Sequence, residues 1–350
     1  MARHIAFRAD ASASIGAGHL SRCVTLATSL KRRGCRITFI CAHGSPAYFP
    51  RVLEIADTVI ELTHVAGEAS AWLSVSPVVD AAATIAAFGD VAIDWLVVDH
   101  YGIDREWEQL VRTHVEHLMV IDDLADRAHD CDVLLDQNLY PNRETRYSGL
   151  VPPSCLCFFG PKYALLRDEF TATSPRVRDR GVRRLLLAFG GSDGANATSL
   201  AVDGVLHLDR DGLEVDIVIG QAHPFREQIA TNCNVRGMTL HVQSKEMARL
   251  ISQADLAVGA GGSSIWERSI LGLPTLTIIT AENQRASAYH LDAIGVSPVI
   301  GELATTTSDQ IAQAVTNMAN APSRLERLSL GALALMKDHK DTSRIVDALL

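Results

Sequence analysis

The sequence predicts an α/β protein made of two Rossmann-like, doubly wound domains facing each other across a cleft. Three observations carry that expectation. The chain has 350 residues, where one domain ordinarily takes roughly 150. Short apolar runs alternate with segments of helical period almost throughout, the pattern of parallel strands joined by crossover helices. Each half also opens in the same way, with a strand, a glycine-rich loop and a helix.

In the first half HIAFRA reads as a strand and DASASIGAG as the loop. The helix that follows carries Leu20, Cys23, Val24, Ala27 and Leu30 on one face and stops at Gly34. Further strands are expected at 36–41, 95–99, 118–121, 133–135 and 156–159, and the Ala-rich stretch 66–92 reads as helical. In the second half a strand at 183–189 leads through GGSDGAN to a helix from about Asn196. Strands are expected at 214–219, 239–242, 255–258 and 275–279, with helices near 245–253, 263–271 and 283–294. The polar segment TATSPRVRDRG, 171–181, interrupts the alternation. It divides the chain into a domain of residues 1–175, a second of 176–325, and a helical tail of 326–350 that can return to the first domain.

Composition narrows the function. Hydrophobic residues make up 47% and charged residues 21%, enough for two cores, and the net charge of −9 offers nucleic acid no general attraction. Lys31, Arg32, Arg33 and Arg36 read as a solvated helix end, where cations complement the dipole. The seven cysteines form no CxxC pair, which argues against zinc and for a reducing, cytoplasmic setting. No run of 18 apolar residues suggests a membrane span, and MARHIAFRAD reads as a first strand rather than a signal peptide.

Ligands of doubly wound sheets sit at the carboxyl ends of the strands, and the distinctive loops fall there. The first is Gly16-Ala17-Gly18-His19. Glycines allow close backbone approach, and the positive end of a helix favours a neutral imidazole, which can accept a proton as a general base. Such a loop can also be no more than a tight turn. The second is Gly190-Gly191-Ser192-Asp193-Gly194-Ala195-Asn196. Small residues ahead of free N–H groups at a helix start suit a phosphate. No GK[ST] follows, which excludes a P-loop, and an ordinary strand-to-helix turn is the alternative. The third is Gly259-Ala260-Gly261-Gly262-Ser263-Ser264-Ile265-Trp266-Glu267, then Leu271-Gly272-Leu273-Pro274, a strand, and Glu282-Asn283-Gln284. Glu267 can accept from two vicinal hydroxyls, as a ribose presents them, and the amides of Asn283 and Gln284 suit sugar hydroxyl or acetamido groups.

This third series resembles the nucleotide-sugar half of the glycosyltransferase-B superfamily, including the N-acetylglucosaminyltransferases of peptidoglycan synthesis. Over nearly the whole chain, FRADASASIGAGHLSRC, VVDHYGID, IDDLADRAHDCDVLLDQN, GPKYALLRDEF and AFGGSDGAN together resemble the UDP-2,4-diacetamido-2,4,6-trideoxy-β-L-altropyranose hydrolases of the pseudaminic-acid pathway. The resemblance implies a UDP-sugar as partner and His19 as the base that activates water. It implies Gly191, Asn196, Ser263, Ser264 and Glu267 on UDP, and Gly18, Tyr101, Asn283 and Gln284 on the sugar. Arg8, Asp10 and Arg22 also fit the family pattern. No motif asks for a metal or cofactor.

The Asp122-Asp123 doublet has no third ligand beside it in sequence and reads as a structural turn. His100 reads as structural, Trp107 and Trp266 as core faces of helices, and Lys162 and Arg167 as contacts between domains. A glycosyltransferase would use the same base and the same UDP site. A UDP-sugar 2-epimerase would require carboxylates near the sugar that the sequence does not place. A non-catalytic sugar-nucleotide-binding protein would have no use for His19.

Overall fold

A strand buried on both faces needs a layer of helices on each side, and HIAFRA and LAVGA are of this kind, buried at every position. The computed structural model describes residues 2–68, 71–208, 212–339 and 342–350. They form two compact units, one of residues up to 138 with 142–165 and the C-terminal segment, the other of 139–141 with 166–339.

The first unit holds eight strands: β1 (His4–Ala9), β2 (Arg36–His43), β3 (Thr58–Glu68), β4 (Ala71–Leu73), β5 (Ile93–Asp99), β6 (Val115–Ile121), β7 (Val133–Asp136) and β8 (Leu156–Phe159). Their order is β4-β3-β2-β1-β5-β6-β7-β8, parallel except for the short β3–β4 pair. The second unit holds β9 (Arg184–Ala188), β10 (Glu214–Ile219), β11 (Thr239–Val242), β12 (Leu256–Ala260), β13 (Thr275–Ile279) and β14 (Val299–Glu302). These run β11-β10-β9-β12-β13-β14, the 3-2-1-4-5-6 order of a doubly wound sheet. In each sheet the direction of winding reverses beside the first strand, between β1 and β5 and between β9 and β12. The loops leaving those strands carry the motifs.

Helices cover both faces of each sheet. In the first unit Leu20, Cys23, Leu26 and Leu30 of helix Gly18–Arg32 pack with Ile345, Val346 and Leu349 of the last helix on one side. Ala81, Phe88, Trp107 and Val111 lie on the other. In the second unit the larger layer takes in Ala197, Val202, Ile229, Ile311, Val315 and Leu325, and Phe170, Leu250, Ile251 and Leu273 fill the opposite face. No helix among the described residues is long and apolar enough to cross a membrane.

The structure departs from the sequence-based expectation in four places. The stretch 66–92 is not one helix: β3 continues into it, β4 follows, and the helix Pro77–Phe88 begins only after Ser76, whose hydroxyl caps it at Val79 N. Thr58, Val59, Ile60 and Thr63 start β3 ahead of this stretch, and the alanine-rich run 81–87 lies in the helix. Strand β14 also lies beyond the expected set. The units divide at Leu165 and Leu166 rather than after 175, because Phe170 is buried in the second core. The tail is two helices: Pro322–Met336 belongs to the second unit, while Ser343–Leu349 lies in the first. There Arg3 Nη1 donates to Leu349 O at 2.9 Å and Thr342 Oγ1 meets Ser29 Oγ at 2.7 Å.

Arg178 fastens the segment after Leu166. Its guanidinium donates to the carbonyls of Ile251 (2.9 Å), Ala254 (3.3 Å), Arg176 (2.8 Å) and Leu271. Most of these are ends of the helices Met247–Gln253 and Ser264–Ile270, where carbonyls lack intrahelical partners and the dipole favours a cation. Burial, and then Arg176 nearby, lower its pKa to about 9. Arg178→Met takes the guanidinium away from those carbonyls, of which Ala254 O keeps Arg176 Nη2 at 2.7 Å, and the second unit should lose about 3 kcal/mol or more. A urea midpoint for that unit within error of wild type contradicts this account.

Candidate functional site

The spacing of His19, Arg22 and Cys23 puts all three on one face of the first helix, directed at the end of β5. There Asp99 Oδ1 lies 2.5 Å from His19 Nδ1. Arg22 grips the same carboxylate with Nε at 2.5 Å and Nη2 at 2.7 Å. Cys23 Sγ stands 3.6 Å from Asp99 Oδ2. The third guanidinium nitrogen, Nη1, reaches Asp123 Oδ2 at 3.3 Å. Asp123 also accepts from Tyr101 OH at 2.5 Å and Asn138 Nδ2 at 3.0 Å. The Tyr101 ring stands edge-on to the His19 ring with centroids 4.6 Å apart, and Trp72 closes the group at 4.9 Å from Tyr101.

Burial alone would push the Asp99 carboxyl up, but Arg22 and then His19 outweigh it and hold it well below the usual range. An ionised Asp99 only accepts, so His19 Nδ1 carries the proton and the lone pair of a neutral ring sits on Nε2. Nε2 has no hydrogen-bond partner among the described residues. His19 is 6% exposed.

A second buried cluster stands behind this one. Arg8 pairs with Asp10 and, through Nη2 at 2.5 Å, with Asp80. Asp80 also accepts from Trp107 Nε1 at 2.9 Å and meets His64 Nε2 at 2.9 Å. His100 Nε2 lies 3.2 Å from Asp10, while its Nδ1 accepts from Gly102 N at 3.1 Å. Arg8 and Asp10 therefore brace the loops after β1 and β5. The Asp122-Asp123 doublet divides in two. Asp122 makes the turn, accepting from Ala125 N at 2.9 Å and Tyr147 OH at 2.8 Å, whereas Asp123 belongs to the His19 cluster.

In the second unit the loop after β9 is not an open cradle. Asp193 accepts from Ala197 N at 2.9 Å and Thr198 N at 2.8 Å, and Asn196 Oδ1 from Ser199 N at 3.4 Å. These are the helix-start N–H groups that sequence reasoning offered to a phosphate, and the chain's own carboxylate and amide occupy them. Asp193 is further held by His223 Nε2 at 3.3 Å. Gly191 and Asn196 border this loop, but the stated reason for placing phosphate there does not hold. Gly191 packs so tightly on Gly220 that any Cβ on Gly220 would overlap the Gly191 carbonyl.

The loop after β12 is the open one. Gly262, Ser263 and Ser264 present backbone N–H groups with no acceptor among the described residues. Gln284 shapes the loop: its Oε1 accepts from Gly261 N and Thr280 N, each at 3.2 Å, and from Thr280 Oγ1 at 3.1 Å. That oxygen is thus committed to the backbone rather than to a sugar. Asn283, half-buried, precedes it in the helix Glu282–Ala293. Glu267 accepts from Arg167 Nη2 at 3.3 Å on Oε1, and Oε2 has no partner among the described residues. Burial pushes the Glu267 carboxyl up, and Arg167 draws it partly back.

Residues 185–343 match the glycosyltransferase family 28 C-terminal domain. Over 99% of its length the chain superposes on all of the UGT2 of Phytolacca americana, solved with UDP-2-fluoro-glucose and pterostilbene, with a TM-score of 0.70 at 13% identity. The chain has the glycosyltransferase-B fold. Among curated proteins it is 25% identical over 290 residues to the UDP-2,4-diacetamido-2,4,6-trideoxy-β-L-altropyranose hydrolase of Campylobacter jejuni, covering 82% of this chain and 95% of that one. It is 22% identical over 291 residues to the uncharacterized protein MJ1062 of Methanocaldococcus jannaschii. That alignment covers 80% of this chain and 56% of the relative, so the chain spans little more than half of the archaeal protein's length.

Within this glycosyltransferase-B chain the structure brings His19, Gly18 and Tyr101 together in the first unit and Ser263, Ser264, Glu267, Asn283 and Gln284 together in the second. Sequence reasoning missed Asp99, Asp123, Trp72 and Arg167. An aspartate closing the apolar run WLVVD was the available signal for Asp99, and Arg167 lies in the quoted GPKYALLRDEF block. It was read as a contact between domains, but it salt-bridges Glu169 at 2.6 Å and Glu267 within the second unit.

Two outcomes follow from this geometry. Arg22→Met strands two buried carboxylates and should cost about 3–5 kcal/mol at neutral pH. Because the folded Asp99 carboxyl is depressed, its stabilisation is complete above the unfolded value of 3.8 and lost as pH falls below it. The gap between wild type and Arg22→Met should therefore narrow through that acid range in urea unfolding, and a constant gap would exclude the ionised Asp99. Gly220→Ala should lower the melting temperature of the second unit by several degrees, about 1 kcal/mol or more; a neutral effect would mean that the 190–196 loop moves freely.

Proposed function

We propose that this chain is an enzyme that hydrolyses a UDP-linked 2,4-diacetamido-2,4,6-trideoxy sugar at the anomeric C–O bond, releasing free sugar and UDP. The observation that carries the reading is the His19–Asp99–Arg22 arrangement, in which Nδ1 of the imidazole is held by Asp99 while Nε2 has no partner among the described residues. The similarity, over 82% of the chain, to a hydrolase named for such a sugar supports it.

Nε2 of His19 takes a proton from water as the oxygen attacks the anomeric carbon on the face opposite UDP. The C–O bond breaks, its electron pair leaves with the β-phosphate oxygen of UDP, and the configuration inverts. The imidazolium so formed is matched in charge: with Arg22 it makes two positive charges against Asp99 and Asp123. Asp99 thus favours the protonated ring as it forms, the orienting role of an acid behind a catalytic histidine. Gly18 borders His19, and Tyr101, held by Asp123, offers its ring edge and not its hydroxyl to this centre.

On the second unit Oε2 of Glu267 is suited to the ribose hydroxyls, and the N–H groups of Gly262, Ser263 and Ser264 to the diphosphate, whose developing charge they stabilise. Asn283 serves the acetamido or hydroxyl groups of the sugar, together with the Nε2 amide of Gln284. Gly191 and Asn196 flank the nucleotide through groups other than the capped helix start. Each assigned role asks only for amino-acid side chains and backbone. The matching glycosyltransferase domain favours one alternative, transfer of the sugar to an acceptor hydroxyl by the same base.

His19→Asn should lower turnover by ~10²–10⁴-fold, the share of a general base, with UDP affinity unchanged. A near-wild-type rate removes the assignment. In ¹⁸O-water the label should enter the sugar; label in UDP means attack at phosphorus, and turnover only with an added acceptor means a transferase.

A further inference from the structure

The loop proposed to hold the diphosphate has a buried cation behind it that none of the assigned roles uses. Arg268 is 1% exposed. Its Nη2 donates to Ala260 O at 2.7 Å and its Nη1 to Ser264 Oγ at 3.1 Å, so it grips the loop at both ends. Nε donates to Thr275 Oγ1 at 3.2 Å on the neighbouring strand. A Cβ on Gly259 would stand 2.6 Å from the Ala188 carbonyl oxygen and 3.1 Å from Arg268 Nη1, so a larger residue there would disturb both.

Every acceptor around Arg268 is neutral. No carboxylate among the described residues forms an ion pair with it. Glu267, next in the chain, is the one acid that raises its pKa, and that carboxylate is engaged by Arg167. Burial outweighs this help and lowers the Arg268 pKa to about 10. A buried charge normally has a counterion or is costly to keep. Arg178, the other buried arginine of this unit without a carboxylate contact, rests on the negative ends of two helices. Arg268 has the opposite setting: it lies beneath the start of a helix and beneath N–H groups that themselves await an acceptor.

We infer that Arg268 is a positioning residue for the diphosphate: it fixes the 260–264 loop from below and supplies the positive charge that a doubly charged anion above the loop completes. The inference rests on the UDP reading given above. It assigns the preference of this unit for a nucleoside diphosphate over the bare nucleoside to a residue that touches neither phosphate. It also separates Arg268 from Glu267: the acid serves the ribose, the arginine the phosphates, although the two are adjacent in sequence.

The test is calorimetric titration of UDP, UMP and uridine into wild type, Arg268→Gln and Arg268→Lys, each checked for folding by circular dichroism. Gln keeps a donor for Ala260 O and removes the charge; Lys keeps the charge. Arg268→Gln should lose at least ten-fold in UDP affinity, less in UMP, and under two-fold in uridine, while Arg268→Lys stays within three-fold of wild type for all three. Uridine and UDP falling together means that Arg268 only shapes the loop, and the inference fails. Equal losses in Gln and Lys variants overturn the role of charge. An unchanged UDP-to-uridine ratio in Arg268→Gln overturns the inference alone, whereas a wild type that binds UDP no better than uridine removes the diphosphate site as well. Should Arg268→Gln not fold, the same ratio in Arg268→Lys against wild type at raised ionic strength decides: a buried charge is screened little by salt, so a preference for UDP abolished by salt overturns the proposal.

Discussion

One guanidinium lets two buried carboxylates stand beside an imidazole. Without Arg22, Asp99 and Asp123 would be like charges in a low-dielectric interior, and one of them would have to take up a proton. With it, Asp99 remains an acceptor and His19 is fixed in one tautomer. The cluster draws on residues from the first helix, the end of β5, the loop after β6 and the end of β7. These parts of the chain meet only because the sheet reverses its winding between β1 and β5. The topology is therefore a condition of the chemistry: the reversal opens a site for the helix start, and charge balance decides which side chains can line it.

The two units share a topology but use their first loops differently. In the first unit the helix beginning at Gly18 has no side-chain cap, and its opening turn carries His19 and Arg22. In the second unit Asp193 and Asn196 cap the equivalent helix themselves. The open backbone donors lie one crossover later, after β12. Similar sequence patterns, a strand followed by glycines and a helix, thus end in one closed turn and two loops whose polar groups are left uncommitted.

Much of this was legible in the sequence. Strand positions followed from apolar runs, the fold class from their alternation, and the candidate loops from glycine placement at strand ends. What escaped had physical causes. β3 was hidden because alanines downstream gave the region a helical average. Asp99 and Asp123 looked like strand-end acids, since pairing to a helix 80 and 101 positions away leaves no local trace. Asp193 sat inside a presumed anion cradle, and its presence there was the available warning: a carboxylate in such a loop either repels phosphate or replaces it. Gln284 stood out in the sequence for its amide, but only coordinates reveal which end of that amide is engaged.

That amide has a mechanical consequence. Three donors from two separate loops converge on a single oxygen of Gln284, so the turn after β12 and the turn after β13 are tied and cannot adjust independently. The entropy of arranging them is surrendered once, when the chain folds, and not again at each encounter with a ligand. Such a tie makes the two turns move as one body, with little room for either to rearrange without the other.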